Sequence, residues 1–459
     1  MAMLKIISAK RLAWGSLGLL GILLIGLLFL PVWIASEQGR IYVLQQINAK
    51  LTGASAKLDV EDWSFGWFHG TQLNNVTISL PDGMRLLSCP RIESDLTLWG
   101  IVWGNFDVGN TRVETAQIRI IKYADGSTSL DSLGGFKKIL RTLRGSLQIG
   151  SAALILNSQA AGQSLAYSDL KADITIASAK APFHVQVTAV GVAGQMLSYN
   201  ATLPALAQWP TSPPMAVLAD TELVATRLPT ALVCDFLNLD PRWSVSLGES
   251  LGHLRWTCRE AGPLDASYPV LDVRGMDGAK MDCRFVLQRN VLLLPPESAC
   301  RAIVSLRPSS PVVELLRRVN PVFASLEKSE GSGLMTLTLS DLMFPLDRPF
   351  DVQAVARLSF AQELTFTNTG LLADLLKISN PIIITADPLR FRIADGMIVY
   401  DHFILNSDRR RISFRGSVSL DGDCNLMVTV PSPGSLSAST AEILITGRFD
   451  NPQVRLPGP

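Results

Sequence analysis

Met335-Thr336-Leu337-Thr338-Leu339-Ser340 and, a little further on, Val352-Gln353-Ala354-Val355-Ala356-Arg357-Leu358-Ser359-Phe360 decide the fold of this chain. In the first stretch Met335, Leu337 and Leu339 alternate with Thr336, Thr338 and Ser340. In the second, Val352, Ala354, Ala356, Leu358 and Phe360 fall on one side, and Asp351, Gln353, Arg357 and Ser359 on the other, with Val355 the exception. A period of two places successive side chains on opposite faces of a strand, so each stretch reads as a strand with one apolar and one polar face. Ile412, Phe414, Val418 and Leu420 repeat the pattern around Gly416, and Ile443, Ile445 and Phe449 repeat it again.

Turn chemistry connects such strands. Asp82-Gly83, Asp125-Gly126, Asp277-Gly278, Asp395-Gly396 and Asp421-Gly422 punctuate the alternating runs. Asp-Gly suits a type I′ turn, in which both central residues need positive φ, so the chain reads as a meander of antiparallel hairpins. Helical patterns are few. Ser36 to Leu51 has Ile41, Leu44, Ile47 and Leu51 on one side and Gly53 as a stop. Leu228 to Leu239, Gly370 to Ile378 and Asp131 to Leu143 are short helical stretches, and Pro311 to Glu327 is a helix interrupted by Pro321. The Pro-rich stretch Pro204 to Pro214 reads as a joint between subdomains.

The N-terminus has a different character. Lys5, Lys10 and Arg11 precede a run from Leu12 to Ala35 that carries no charge over 24 residues. About 20 helical residues cross a ~30 Å hydrocarbon core. Leu17, Leu20, Leu24 and Leu27 lie inside the run, with Trp14 and Trp33 near its ends as interfacial anchors. The positive flank keeps the N-terminus in the cytoplasm and sends the rest across. A cleavable signal peptide is the alternative, but its apolar region would be ~7–15 residues, and Ile34-Ala35-Ser36 is a poor cleavage site. The expected organisation is a cytoplasmic N-terminus over 1–11, a transmembrane helix over 12–35, and β regions over 36–203, 204–290 and 291–459.

Composition narrows the function. Lys plus Arg number 41 against 40 Asp plus Glu, and no basic stripe appears, so nucleic acid is not the expected partner. Hydrophobic residues make up 47% and charged ones only 18%, enough to bury a large apolar surface. None of the six cysteines has C-x-x-C spacing, which argues against a zinc site. Cys258, Cys283 and Cys300 fall in apparent strands of one region, where disulfides or single buried thiols are both open. His69, His184, His253 and His402 show no ligand spacing. Asp421-Gly422-Asp423-Cys424-Asn425 begins like a calcium loop but has Leu426 and Ser432 where Gly and Glu belong. Gly248-Glu249-Ser250-Leu251-Gly252 matches the nucleophile elbow as a string. Trp243, Val245 and Leu247 alternate before it and Leu254, Trp256 and Cys258 after it, so strand–turn–strand is expected rather than strand–turn–helix. No catalytic residue, metal or cofactor is assigned; an esterase using Ser250 is the enzymatic alternative.

Several segments together resemble the AsmA-like family of bacterial cell-envelope proteins, TamB-related. They are the anchor with Gly39-Arg40-Ile41 to Leu51-Thr52-Gly53, then Trp63-Ser64-Phe65-Gly66, Leu73-Asn74-Asn75-Val76-Thr77-Ile78, Pro81-Asp82-Gly83, Leu96-Thr97-Leu98-Trp99 and Tyr123-Ala124-Asp125-Gly126-Ser127 leading to Leu130-Asp131-Ser132-Leu133. Near the other end are Phe391-Arg392-Ile393-Ala394-Asp395-Gly396, Arg415-Gly416-Ser417-Val418-Ser419-Leu420 and Ile445-Thr446-Gly447-Arg448-Phe449-Asp450-Asn451-Pro452-Gln453-Val454. The resemblance implies a mainly β fold: after the transmembrane helix, an elongated antiparallel sheet curved into a taco-like groove, with a few short helices. It implies a single-pass protein of the bacterial inner membrane with its main domain in the periplasm, moving phospholipid between membranes or maintaining the outer envelope, and no catalytic residues. The partners would be phospholipid acyl chains, the inner membrane, and outer-membrane or other envelope proteins. Val352, Ala354, Ala356, Leu358, Phe360, Met335, Leu337, Leu339, Ile412, Phe414, Val418 and Leu420 are the expected groove lining. The rival reading is a structural or assembly factor for outer-membrane biogenesis whose apolar face is closed by the protein's own core.

Overall fold

The computed structural model describes residues 30–50, 56–103, 107–131, 144–178, 180–203, 220–239, 243–261, 266–288, 291–294, 301–307, 326–330, 333–346, 348–360, 364–368, 382–384, 388–407, 410–431, 440–448 and 453–455. The described residues include helices α1 (Glu37–Lys50), α2 (Leu98–Val102), α3 (Thr230–Phe236) and α4 (Trp243–Leu247). The early strands are β1 (Lys57–Ser64), β2 (Thr71–Ser79), β3 (Arg85–Ser94), β4 (Asp107–Lys122), β5 (Arg144–Ser158), β6 (Gln163–Ile176), β7 (Phe183–Gly191), β8 (Met196–Leu203), β9 (Thr221–Pro229) and β10 (Ser250–Cys258). Next come β11 (Glu260–Ala261), β12 (Ala266–Ser267), β13 (Val270–Gly275), β14 (Lys280–Arg284), β15 (Val286–Gln288), β16 (Val291–Leu293), β17 (Arg301–Leu306), β18 (Leu326–Glu330) and β19 (Met335–Pro345). The last are β20 (Gln353–Phe360), β21 (Leu364–Asn368), β22 (Ile382–Ile384), β23 (Leu389–Ala394), β24 (Met397–Ser407), β25 (Arg410–Ser419), β26 (Asp423–Pro431), β27 (Thr440–Arg448) and β28 (Gln453–Arg455). Among the described residues, 25 strands belong to one hydrogen-bonded sheet and β18, β21 and β22 to a second. The fold is mainly β and antiparallel, as the alternation requires.

The chain divides into two compact units: residues 1–156, 166–189 and 204–211, and residues 157–165, 190–203 and 212–459. In the first unit β1, β2, β3 and β4 pair in sequence. Residues 30–35 are helical, and Ser36 breaks the axis before α1. The Ser36 hydroxyl accepts from the Gly39 N–H at 3.2 Å and donates to the Trp33 carbonyl at 2.6 Å, capping the new helix. A Cβ on Gly39 would lie 2.0 Å from the Trp33 carbonyl oxygen, so only glycine fits the joint. The Asn48 side chain holds α1 to β1. Its amide donates to the Leu58 carbonyl and accepts from the Leu58 N–H, both at 2.9 Å, standing in for a neighbouring strand.

In the second unit the pairing runs β8–β9–β10–β13–β14–β17–β19–β20–β23–β24–β25–β26–β27–β28. β15 and β16 form a side hairpin, and β16 pairs with the far end of β19 at Met343 to Pro345. Three sequence expectations are corrected. Only Asp395-Gly396 has positive φ at both residues (52° and 71°); at the other Asp-Gly pairs the glycine alone does, so those are not type I′ turns. Residues 243–247 are helical, not a strand, and Ser246 and Leu247 are buried consecutively as one helical turn permits. On α1, Leu44 is buried but Ile41 is 48% exposed, so the apolar stripe expected there is not uniform.

Among the described residues no helix is long and apolar enough to cross a membrane; Trp14, Leu17, Leu20, Leu24 and Leu27 lie outside them. Gly370 to Ile378, Pro204 to Pro214 and most of Asp131 to Leu143 and of Pro311 to Glu327 lie outside them too.

Candidate functional site

Register turns single alternating strands into continuous rows. In the second unit one row runs Leu197, Ala225, Leu254, Val273, Met281, Val304, Leu337, Leu358, Leu389, one residue from each of nine successive strands. A second row, two residues along each strand, runs Tyr199, Leu223, Trp256, Leu271, Cys283, Ala302, Leu339, Ala356, Phe391. Tyr400 takes over from Phe391 through a ring contact of 6.0 Å, and Gly416, Leu426, Ile445 and Val454 carry the row to β28. No ionisable group interrupts the aliphatic row. Cys283 stands in the second as a small apolar residue, because burial, helped by the Asp282 charge, pushes its thiol up to about 11 and keeps it protonated.

The intervening residues form the opposite face: Ser198, Val224, Arg255, Asp272, Asp282, Ile303, Thr338, Arg357, Arg390. Ion pairs decorate it, Arg255 with Glu222 at 2.9 Å, Arg274 with Asp272 at 3.0 Å and Arg284 with Asp282 at 3.5 Å. Slipping one strand by a residue would bring these charges onto the apolar face, which fixes the register.

Burial along the apolar face is uneven. From β20 to β27 it is sealed: Ala356, Leu358, Leu389, Phe391, Tyr400, Phe414, Leu426 and Ile445 are all buried. Gly416 occupies the row position between Tyr400 and Leu426, and its φ of +132° and the approach of the Asn425 carbonyl oxygen, 2.2 Å from where a Cβ would stand, exclude a side chain. Burial also pushes the Tyr400 hydroxyl far above the ordinary tyrosine range. From β8 to β19 the same face is half-buried at Leu197, Tyr199, Leu223, Leu254, Trp256, Leu271, Met281, Val304, Leu337 and Leu339 and buried at Ala225, Val273, Cys283 and Ala302, with Leu271, Val304 and Leu339 packed against the buried cluster that holds Cys283 and Ala302.

The sequence-predicted lining residues fall on both stretches. Met335, Ala354, Ala356, Leu358, Ile412, Phe414 and Val418 are buried, and Val352, Leu337, Leu339 and Leu420 are half-buried. Phe360 pairs with Met335 in register, and its side chain lies outside the described residues. Trp33, the one predicted anchor residue that is described, is 47% exposed. Cys258 and Cys283 are buried and not joined to each other; Cys300 lies outside the described residues.

Two polar features lie apart from this apolar face. Ser250 opens β10 after α4, so the string around it sits in helix–turn–strand, the reverse of an elbow, and its hydroxyl donates to the Leu228 carbonyl at 3.2 Å. In the first unit a cleft of about 530 Å³ between α1 and β1–β3 is lined by Arg40, Asp59, Glu61, Asn75, Thr77 and Arg85 among others. Its charges partly satisfy one another: Asn75 donates to Glu61 at 2.5 Å, and Arg40 lies 3.9 Å from Asp62 nearby. Sequence reasoning missed this cleft, because residues of α1 and three strands reach it from distant positions. It also missed an aromatic cluster around Trp99, although the spacing of four between Trp63 and Trp67, and between Trp99 and Trp103, was visible. No protein-family model, curated protein or solved structure matches this chain.

Proposed function

We propose that this protein is a membrane-anchored β protein that takes acyl chains onto the apolar face of its second unit and helps move phospholipid between membranes or maintain the outer envelope. The observation that carries the reading is the aliphatic row from Leu197 to Leu337, continuous across seven paired strands and only half-buried along most of its length. Residues between two packed layers of protein would be fully buried, as Phe414 and Ile412 are. Six strand spacings of ~4.8 Å give the row a length of about 29 Å. One acyl chain spans roughly half of a ~30 Å hydrocarbon core, so the row is long enough for two chains end to end. A sixteen-carbon chain loses about 13 kcal/mol of apolar hydration cost on full burial, at ~0.8 kcal/mol per methylene. A row without ionisable groups offers part of that burial along its half-buried positions, so a chain can slide without meeting a charge.

In this reading the sheet curves into a trough, the uncharged run over 12–35 is the anchor, and the main domain lies in the periplasm of a bacterial envelope. The positive flank of that run and the ordered resemblance of both ends to the AsmA-like family support it. The test is mass spectrometry of lipids that co-purify with the full-length chain: phospholipid at a fixed molar ratio is expected, and a protein purified without lipid would overturn the reading. A second reading, an envelope structural or assembly factor with a closed core, is favoured by one observation, the sealed face from β20 to β27. It predicts a stable β domain that carries no bound lipid.

A further inference from the structure

Near the start of the first unit, four aromatic residues gather at one exposed place. Trp99 is the hub: its ring centroid lies 6.3 Å from Trp67, 6.0 Å from Phe68 and 5.7 Å from Trp103. Phe68 is 75% exposed, Trp103 70% and Trp99 46%. The cluster is not a loose collection of side chains. The Leu98 and Trp99 N–H groups donate to the carbonyls of Gly66 and Trp67 at 3.0 and 3.4 Å, joining the β1–β2 loop to α2. Thr97 caps α2 by accepting from the Gly100 N–H at 3.2 Å. A large exposed aromatic surface on a rigid support is costly in water and marks an interaction surface.

Its position says what covers it. Trp63, at the end of β1 and buried, donates its indole N–H to the Ile34 carbonyl at 2.8 Å. Ile34 is the next-to-last residue of the uncharged run over 12–35, so the strand leading into the cluster is bonded to the place where that run ends. A second aromatic pair, Trp33 and Tyr42, lies at the same joint with centroids 6.1 Å apart, and both are exposed. Residues 63–70 and 96–104 contain no Asp, Glu, Lys or Arg to oppose entry into an apolar phase. Tryptophan favours the headgroup–acyl boundary, where the ring is apolar and the N–H stays hydrated.

We propose that Trp67, Phe68, Trp99 and Trp103 form a foot that inserts into the lipid headgroup–acyl boundary of the bilayer that residues 12–35 enter. This rests on the anchor reading and adds to it a second, non-spanning attachment that holds the first unit against the membrane surface. The occupant is lipid rather than protein because the neighbouring chain itself leads into the bilayer.

The test uses the full-length chain reconstituted into phosphatidylcholine–phosphatidylglycerol vesicles, with and without acyl-brominated lipid. The emission lost in the Trp99→Phe/Trp103→Phe variant reports those two indoles alone and keeps the aromatic surface. Most of that difference emission is expected to be quenched by brominated lipid and shielded from aqueous iodide. Phe68→Trp, at the most exposed position, is expected to add further emission that brominated lipid quenches. Difference emission quenched by iodide but not by brominated lipid overturns the foot, and so does emission reached by neither quencher, which would mean a protein cover. Alkaline carbonate extraction of the same vesicles reads the anchor separately. Release of the chain sinks the anchor, whereas retention without lipid quenching sinks only the foot.

Discussion

Replacing Leu337 by Asp tests the acyl-chain reading at the middle of β19. Leu337 lies between Val304 and Leu358 in the aliphatic row, and its side chain is half-buried. A carboxylate there stays partly hydrated, so the folding cost is the loss of a partly buried leucine, about 1–2 kcal/mol. The effect on a bound chain is larger. If the hydrated carboxylate denies contact to about four methylenes, the lost burial is ~3 kcal/mol, which weakens binding roughly 200-fold. Thr338→Asp is the matched control, since Thr338 sits one residue away on the opposite face, paired with Ile303 and Arg357. The assay is phospholipid per mole of purified full-length chain by mass spectrometry, with thermal unfolding run in parallel. Leu337→Asp is expected to carry less phospholipid per mole than the parent chain and to lose a little stability, while Thr338→Asp keeps both. Equal lipid in the two variants, or equal loss in both, would refute the assignment of this face to acyl chains.

Three further outcomes follow from the packing. Gly416→Ala forces an L-residue to φ near +132° and sets its Cβ against the Asn425 carbonyl, so it is expected to cost more than the ~1–3 kcal/mol of backbone strain alone; Gly422→Ala, at φ +99° with no atom near its Cβ, is expected to cost only that strain, as urea midpoints will show. Ser158→Ala removes the hydroxyl that donates to the buried Asp235 carboxyl at 2.6 Å and is expected to cost about 1–3 kcal/mol, read in the same way. The Cys283 thiol is held at about 11 when folded, above its ordinary value of 9.0, so the unfolded chain ionises first: this thiol's contribution to stability is full below pH 9 and is lost as pH rises toward 11, and Cys283→Ala is expected to flatten that part of the stability–pH profile.

Much of the strand structure was legible in the sequence because burial follows the period of two. Ala354, Ala356 and Leu358 are all buried, and Val355, the apolar residue out of phase, is 40% exposed. The rows were less legible. Asp277-Gly278, Asp395-Gly396 and Asp421-Gly422 announce which strands are joined as hairpins, and those pairs form. Nothing local says that β14 skips the β15–β16 hairpin to pair with β17, or that β19 meets β17 along one part and β16 along another. Such pairings are decided by burial of the whole face, not by the turn between neighbours. The alternation of Trp243, Val245 and Leu247 misled for a related reason. Five residues support either period, and here Ser246 and Leu247 are both buried, with the Ser246 carbonyl accepting from the Arg307 N–H at 3.2 Å.

The half-buried row also constrains what can cover it. A loop or single strand laid across Leu197, Leu254, Met281 and Val304 would press its own N–H and C=O groups against aliphatic side chains that offer no partner, a cost of order 1–3 kcal/mol for each group left unsatisfied. Only a cover whose backbone groups are already satisfied avoids this, and two kinds qualify: an acyl chain, or a protein layer, helix or second sheet, whose hydrogen bonds are internal. The two respond differently to a charge at Leu337. A protein layer packed there makes residue 337 part of a closed core, so a carboxylate would be trapped and destabilise the fold by several kcal/mol, with no lipid to lose. An acyl chain simply fails to bind, and the sheet, already half-open to water at this position, keeps most of its stability. The ratio of lipid loss to stability loss in Leu337→Asp therefore separates a carrier from a closed scaffold, whichever lipid is involved.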